Sequence, residues 1–331
     1  MDQNVINRAF EAFSSLNVLI IGDVMIDAYY WGSVDRISPE APVPIVAVAK
    51  NENRLGGAAN VALNAQALGA NAILCAVIGT DNNGDLMKRL IAKENLSHEG
   101  ILQSSHRTTT VKTRIISQHQ HMLRVDQEEA SPLNNELTQA LYHRIAEIIE
   151  QKKIDVIIFE DYDKGVITPG LIEQVVKLAK EKEIPTTVDP KKRNFMDYHG
   201  VTLFKPNLKE LREGLNLTIK KGDLTDLTEA VKLLRSKMHI ETALITLSEY
   251  GVYIDASETQ KMIPAHIRDI SDVSGAGDTV IATASMCLAL GLDLEFSAKL
   301  ANLAGGLVCE KVGVVPINKE QLRSEALRLS K

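Results

Sequence analysis

Cysteine is scarce: Cys75, Cys287 and Cys309 are the only three in 331 residues. They lie far apart among apolar neighbours, which gives neither a disulfide framework nor a zinc-ligand spacing and places them in the core before it makes them nucleophiles. Such usage suits a reducing compartment. A basic surplus is lacking too. The formal net charge is −6, with lysines and acids interspersed, which argues against nucleic acid or a membrane surface as the main partner and leaves small molecules. Long apolar runs are missing as well. Val18–Ile21 is too short for a signal peptide and has no basic head, and Val280–Leu292 is interrupted by threonines, Ser285 and Gly291 and is too short to span a bilayer. The expected location is the cytoplasm. No G-x-x-x-x-G-K-[ST] phosphate loop occurs, and Gly275-Ala276-Gly277 fails to continue into G-x-G-x-x-G because Val280 stands at the sixth position. His119 and His121 form a pair without a third ligand, which reads as an exposed hairpin and not as a metal site.

What is present is a 45% hydrophobic content, enough for a large core. Apolar runs alternate with helix-period segments. Val18–Gly22, Ala72–Ile78, Val156–Phe159, Thr186–Val188, Thr202–Phe204 and Ala243–Leu247 read as strands. Ala58–Leu68, Gly84–Lys93, Pro169–Lys180, Leu208–Glu213 and Leu224–Lys237 read as helices. This rhythm predicts an α/β protein whose mainly parallel sheet is covered on both faces. Val43–Ala49 and Thr109–Val125 break it, being β-like with no crossover helix between them. They predict a small β-sheet lid, formed from about 33–50 and 107–126, on a single domain spanning 1–331.

Four constellations point to chemistry. In Asp272-Val273-Ser274-Gly275-Ala276-Gly277-Asp278 two glycines open a long apolar helix, so that backbone amides and the positive end of the helix dipole face one spot. A transferring phosphoryl group suits that anion hole, and Asp278 is placed to take a proton from an attacking hydroxyl; an ordinary helix cap uses the same residues. Asp27, in Gly22-Asp23-Val24-Met25-Ile26-Asp27, follows the first strand, where α/β sheets bind ligands. Its carboxylate suits two sugar hydroxyls, or equally a turn. Gly56 and Gly57 allow close approach of a ligand to the backbone, and Asn60 offers a donor and an acceptor. Asn207 and Glu210, three apart at a helix start, can hold Mg²⁺ through its waters or form a cap.

In this order the motifs closely resemble the ribokinase-like carbohydrate kinases, also called the phosphofructokinase B family, over nearly the whole chain: Gly56 to Asn60 is similar to the first signature, Asp272 to Asp278 to the second, and Asn207 with Glu210 to the Asn-x-x-Glu element. The resemblance implies a three-layer α/β/α core with a β lid, ATP as donor, Mg²⁺ as cofactor and a sugar hydroxyl as acceptor. It implies Asp278 as base, with Gly275, Ala276 and Gly277 at the phosphoryl group. Asp27, Gly56, Gly57 and Asn60 would orient the sugar, and Thr246, Ser248, Gly251 and Asn302 would lie on the nucleotide side. The family's monovalent-cation site would draw on Asp272, Ser274 and the backbone near Gly313; the sequence matches its first half only, which leaves potassium open.

Gly22 to Pro44, Lys112-Thr113-Arg114, Leu123 to Asp126, Asp161 to Gly165 and Val188 to Lys191 resemble the branch that phosphorylates the C1 hydroxyl of D-glycero-D-manno-heptose 7-phosphate on the route to ADP-heptose and lipopolysaccharide core. A sugar phosphate of that kind needs cations for its dianion, and Arg36, Lys112, Arg124, Lys164 and Lys191 are the candidates. Lys191 to Phe195 is more basic than the usual family version. Many relatives add a nucleotidylyltransferase domain with a His-x-Gly-His motif. None is found in this sequence, so the kinase alone is expected, as a homodimer through the β lid, with any nucleotidylyltransferase a separate partner. A kinase for fructose 6-phosphate or ribose, or a non-catalytic sugar-binding relative, are the competing readings.

Overall fold

A computed structural model describes residues 1–118, 120–266 and 268–330; His119, half of the pair noted above, lies outside the described residues. The chain opens with α1 (Gln3–Ala12), β1 (Asn17–Gly22), β2 (Val24–Ile37), β3 (Pro44–Gly57), α2 (Ala58–Leu68), β4 (Asn71–Gly79), α3 (Asn82–Lys93) and β5 (Ser97–Ser104). It continues through β6 (Thr110–Ser117), β7 (Gln120–Gln127), α4 (Asn135–Gln151), β8 (Val156–Glu160), α5 (Pro169–Glu181), β9 (Thr186–Asp189) and β10 (Leu203–Phe204). The last third contains α6 (Leu208–Leu215), α7 (Leu224–Met238), β11 (Thr242–Thr246), β12 (Val252–Asp255), β13 (Gln260–Ile263), α8 (Ala276–Ala289), α9 (Leu294–Val308) and α10 (Lys319–Arg328).

Nine strands form one sheet in the order β13-β12-β11-β10-β9-β8-β1-β4-β5, parallel except at β12 and β13. The continuous apolar strands follow from burial on both faces. Along β1, Val18 and Ile20 pack into a core with α2, α8 and α9, while Leu19 and Ile21 pack into a second core with α4, α5 and α7. Helices thus cover both faces, the three-layer arrangement expected. Cys75, Cys287 and Cys309 are buried and free. Among the described residues no helix is long and apolar enough to cross a membrane.

The second sheet has four strands in the order β3-β2-β6-β7. It begins earlier than the sequence suggests. Asp27 does not sit in a turn after β1: it lies on β2, whose residues from Val24 to Tyr29 are buried and which pairs antiparallel with β3 and parallel with β6. Strand pairing on both sides overrides the local turn preference. Periodicity also did not single out α1 or α4, the latter being the crossover into β8.

The two-sided core makes a test. Ile20 is fully buried on an interior strand of the sheet, so Ile20→Ala is expected to lower stability by about 2–5 kcal/mol, read as a lower urea midpoint with an unchanged slope.

Candidate active site

The site is built on strand ends. Parallel register sets Gly22 beside Glu160 and Glu160 beside Asp189, while Lys205 follows β10, which pairs with β9. Four adjacent strands therefore finish at one edge. Gly22 must lack a side chain there, because a Cβ would lie 2.0 Å from the Glu160 carbonyl oxygen. Lys205 is 2% exposed, and its Nζ is 2.8 Å from Asp189 Oδ2. Lys191 Nζ lies 3.5 Å from Asp189 Oδ1 and 2.6 Å from Glu210 Oε1. Burial alone would raise the Asp189 carboxyl, but Lys191 and Lys205 outweigh it and hold it below the ordinary range. Glu160 has no such partner: it is 0% exposed, and among the described residues neither carboxylate oxygen meets a donor. Burial, then Asp189 and Asp278, push its carboxyl well up.

Asp278 stands in the first turn of α8, 3% exposed. Its Oδ2 accepts from Asn60 Nδ2 at 2.7 Å and its Oδ1 from the Tyr162 hydroxyl at 2.8 Å. Burial raises its carboxyl, and those two donors pull it part of the way back. Gly275, at φ 81°, turns the chain into the helix, and a Cβ there would press to 2.9 Å on Asn60 Nδ2. Of the three amides expected around an anion, that of Ala276 donates to the Val273 carbonyl at 3.3 Å. Asp272 accepts from Ser274 N–H at 3.0 Å and Oγ at 2.8 Å and, through its other oxygen, from Gly313 N–H at 2.9 Å. Residues 272–274 and Gly313, which the resemblance assigns to a monovalent cation, therefore meet.

Tyr162 is carried by a loop wound around two carboxylates. Asp23 accepts from the N–H groups of Tyr162, Lys164 and Val166 at 2.9, 3.0 and 3.0 Å. Asp161 accepts from Asn194 Nδ2 at 2.9 Å and from the Tyr198 hydroxyl at 2.8 Å, and burial pushes its carboxyl up to about 6. The Nζ atoms of Lys112 and Lys191 lie 5.2 and 5.3 Å from the centre of the Tyr162 ring, a distance at which ring and cation attract.

The lid adds a charged face. Asp27 is ion-paired with Arg114, and Gly56 leaves room for it, since a Cβ would come within 2.1 Å of Asp27 Oδ2. Lys112 is Asp27's lateral neighbour on β6, and Arg114 is that of Tyr29; Arg54 and Arg114 lie 5.0 and 5.3 Å from the Tyr29 ring centre. Burial, then the nearby Lys164, lower the Lys112 ammonium. Lys112 and Lys191 are thus gathered toward Tyr162, while Lys164 Nζ pairs with Glu128 at 3.0 Å. Arg124 neighbours Arg114 but is exposed and pairs with Asp126 at 3.0 Å, and Arg36 is exposed beyond a bulge.

On the far side Asn207 bridges to Thr246 at the end of β11. Ser248 (φ 54°) and Gly251 (φ 93°) form the turn that follows, and Asn302 Nδ2 holds the Pro264 carbonyl at 2.9 Å. Asn207 and Glu210 cap each other: Glu210 N–H donates to Asn207 Oδ1 at 2.9 Å, and Asn207 N–H to Glu210 Oε2 at 2.8 Å. With Lys191 on Oε1, this pair has no oxygen free of a donor, which fits Mg²⁺ held through water and not by direct ligation.

Tyr162 and Asp189 lie in segments noted above for their resemblance alone, and neither Lys205 nor Glu160 stands out in the sequence. The signal for the last three was a charged residue closing or just following an apolar strand: Val156–Glu160, Thr186–Asp189 and Leu203–Phe204 with Lys205.

The fold is of ribokinase type. Phosphofructokinase-2 from Escherichia coli, solved in complex with potassium, superposes with a TM-score of 0.78 at 18% identity, covering 96% of this chain and 99% of that one. Ribokinase from Arabidopsis thaliana, complexed with ribose and ATP, gives 0.70 at 16% identity, with 96% and 98% covered. The chain belongs to the pfkB family of carbohydrate kinases, whose profile matches residues 15–321. At the sequence level it is 38% identical over 316 residues to the bifunctional protein HldE of Pelobacter propionicus. That match takes in 95% of this chain and spans 64% of the relative's length.

The buried lysine can be tested by stability. Lys205→Met leaves Asp189 with one cation fewer, expected to cost about 3–5 kcal/mol near neutral pH. In the native protein Asp189 is held below its ordinary range, so this stabilisation is present above the unfolded carboxylate pKa and is lost as pH falls through the folded value. Urea unfolding in buffer without divalent cations should therefore show the difference between variant and wild type holding from about pH 8 to about pH 5 and shrinking below about pH 4.

Proposed function

We propose that this carbohydrate kinase transfers the γ-phosphoryl group of ATP to the C1 hydroxyl of D-glycero-D-manno-heptose 7-phosphate. The observation that carries the chemistry is Asp278, held on both oxygens by Asn60 and Tyr162 at the glycine turn that opens α8. The acceptor reading is supported by the resemblance of Gly22 to Pro44 and of the Asp161 to Gly165 loop to heptose 7-phosphate kinases, and by the HldE relative.

In this reading Asp278 takes the proton of the sugar hydroxyl as that oxygen bonds to the γ-phosphorus and the bond to the bridging oxygen of ADP breaks. Its raised carboxyl pKa favours that acceptance. The amides of Gly275 and Gly277 would meet the charge on the phosphoryl oxygens, that of Ala276 being taken by the Val273 carbonyl. Asp27, fixed by Arg114, together with Gly56, Gly57 and Asn60, would position the sugar; Asn60 also aims the base. Lys112, Lys164 and Lys191 would be the cations for the 7-phosphate, with Arg36 and Arg124 entering from the lid. Thr246, Ser248, Gly251 and Asn302 would border the nucleotide. Mg²⁺, held through water by Asn207 and Glu210, would supply charge neutralisation to the ATP phosphates. A monovalent cation would be held near Asp272, Ser274 and Gly313.

The lid also supports a homodimer, the domain acting as one kinase unit in the cytoplasm. Opposite its charged face, Tyr30, Ile115 and Leu123 are cross-strand neighbours, as are Ala28, Thr113 and Val125. Leu123 and Val125 are 57% and 50% exposed; such an apolar sheet face suits a second copy. Light scattering should give twice the chain mass, and Leu123→Lys with Val125→Lys should give one; a monomeric wild type would contradict the dimer.

The acceptor is tested with Mg-ATP and a panel of α- and β-heptose 7-phosphate, fructose 6-phosphate and ribose, by ADP release and phosphorus NMR. A new anomeric phosphate on the heptose alone is the expected result; turnover of another sugar only would replace the acceptor and keep the chemistry. Asp278→Asn should lower kcat by about 10²–10⁴-fold while calorimetry shows sugar binding retained. Tyr162→Phe should lower kcat more than it changes KM, since the hydroxyl contacts the base.

A further inference from the structure

The turn that opens α8 is not fixed by packing alone. Asp272 and the residues after it lead into Gly275, yet Val273 is 68% exposed, and Val312, beside the Gly313 amide that donates to Asp272, is 52% exposed. A segment whose side chains stand in solvent takes its position from its backbone hydrogen bonds. The partners of residues 312–314 therefore decide where Asp272 sits.

Those partners come from the lid. Arg54 Nη1 donates to the Val312 and Val314 carbonyls, each at 3.2 Å, and the Tyr29 hydroxyl accepts from Val314 N–H at 3.1 Å. Between them Gly313 N–H donates to Asp272 Oδ2 at 2.9 Å, while Asp272 Oδ1 holds Ser274. The approach is close enough to require glycine: Gly313 has φ 75°, and a Cβ there would lie 2.8 Å from Arg54 Nη1 and 3.0 Å from the Tyr29 hydroxyl. The lid end is held in turn. Tyr29 is fully buried, with the Arg54 and Arg114 guanidiniums 5.0 and 5.3 Å from its ring centre, and Arg114 is ion-paired with Asp27. Arg54 Nε donates to Glu52 Oε1 at 2.7 Å, and Arg54 is the register neighbour of Asp27 across β2 and β3. One bonded set of side chains thus has Asp27 at one end and the 312–314 turn at the other.

We infer that Arg54 is a positioning residue for phosphoryl transfer: with Tyr29 it ties the strands that carry Asp27 to residues 312–314, and through Gly313 to Asp272, so that the glycine turn before Asp278 is set from the acceptor side, a role that rests on Asp278 being the base and not on which sugar it serves. Arginine suits the task. Its Nη1 carries two hydrogens and reaches two carbonyls while Nε keeps Glu52, which no other side chain can do from that position.

Hydrogen–deuterium exchange of the substrate-free protein reads the tether directly. In Arg54→Gln the Ser274 amide, which donates to Asp272, should exchange about 5-fold faster than in the wild type. With whichever sugar of the panel is turned over, Arg54→Gln should lower kcat by about 10–10²-fold, while the Kd of that sugar, measured by calorimetry without ATP, changes by less than about 3-fold. Combined with Asp272→Asn, the loss in kcat should fall short of the product of the two single losses, because both act through one connection. Circular dichroism checks folding; should Arg54→Gln fail to fold, Tyr29→Phe, which removes the acceptor of the Val314 amide, is put through the same measurements. Exchange at Ser274 as in the wild type, a sugar Kd weakened as much as kcat falls, or losses that multiply in full would each overturn the inference. If no sugar is turned over, the acceptor reading has failed and the exchange measurement alone decides this one.

Discussion

Four parallel strands that end at one edge leave charged groups with nowhere to go but toward each other. Gly22, Glu160 and Asp189 are register neighbours, and Lys205 follows the next strand. Because helices cover both faces, these groups are enclosed, and burying any one of them alone would be prohibitive. The Lys205–Asp189 pair answers part of that cost. A buried pair of this kind adds little net stability compared with apolar packing; its value here is positional, since it sits directly beneath Gly277, whose absent Cβ would touch Asp189 Oδ2 at 3.3 Å. The glycine turn thus rests on a fixed charged floor.

The same economy of position governs Asp278. Asn60 comes from the first turn of α2 and Tyr162 from the loop after β8, and both donate to Asp278 on α8. Behind them Asn64 accepts from the Thr279 hydroxyl at 2.9 Å and from Ile317 N–H at 3.0 Å, tying the two helices and the segment before α10 together. Asp278 is therefore aimed only when three separate parts of the chain have packed. The Asp23 carboxylate extends this dependence to the loop, since three amides converge on it to set where Tyr162 points.

Much of this was legible in the sequence, for reasons that differ by element. β1 and β8 are continuous apolar runs because both faces are buried, and that pattern needs no tertiary knowledge to read. Asp278, Asn60, Asp27, Asn207 and Glu210 stand in short motifs whose glycines or cap geometry announce a special backbone. β2 was not legible: Asp23 just before it and Asp27 within it look like turn formers, and only pairing with β3 and β6 makes the segment a strand. Nor could one chain show that Asn60 donates to a carboxylate 218 positions away. Glu160 was hidden for the opposite reason, as a single acid closing an apolar strand looks like the start of a loop until its burial is seen.

The course of β2 bears on what the lid can do. From Val24 to Tyr29 it is buried and paired on both sides, so Asp27, and with it Arg114 and Lys112 on β6, are held by the core. Farther out, the register with β3 slips between Trp31 and Gly32 and again between Val34 and Arg36. Gly32 cannot carry a side chain there, since a Cβ would lie 2.2 Å from the Ala47 carbonyl oxygen. Irregular positions bend a strand far more easily than paired ones. The irregular pairing is thus confined to the outer half, which carries Arg36, while Asp27, Lys112 and Arg114 lie on the regularly paired inner half. In the transfer proposed above, the inner half would hold the geometry and the outer half would be left to exclude water.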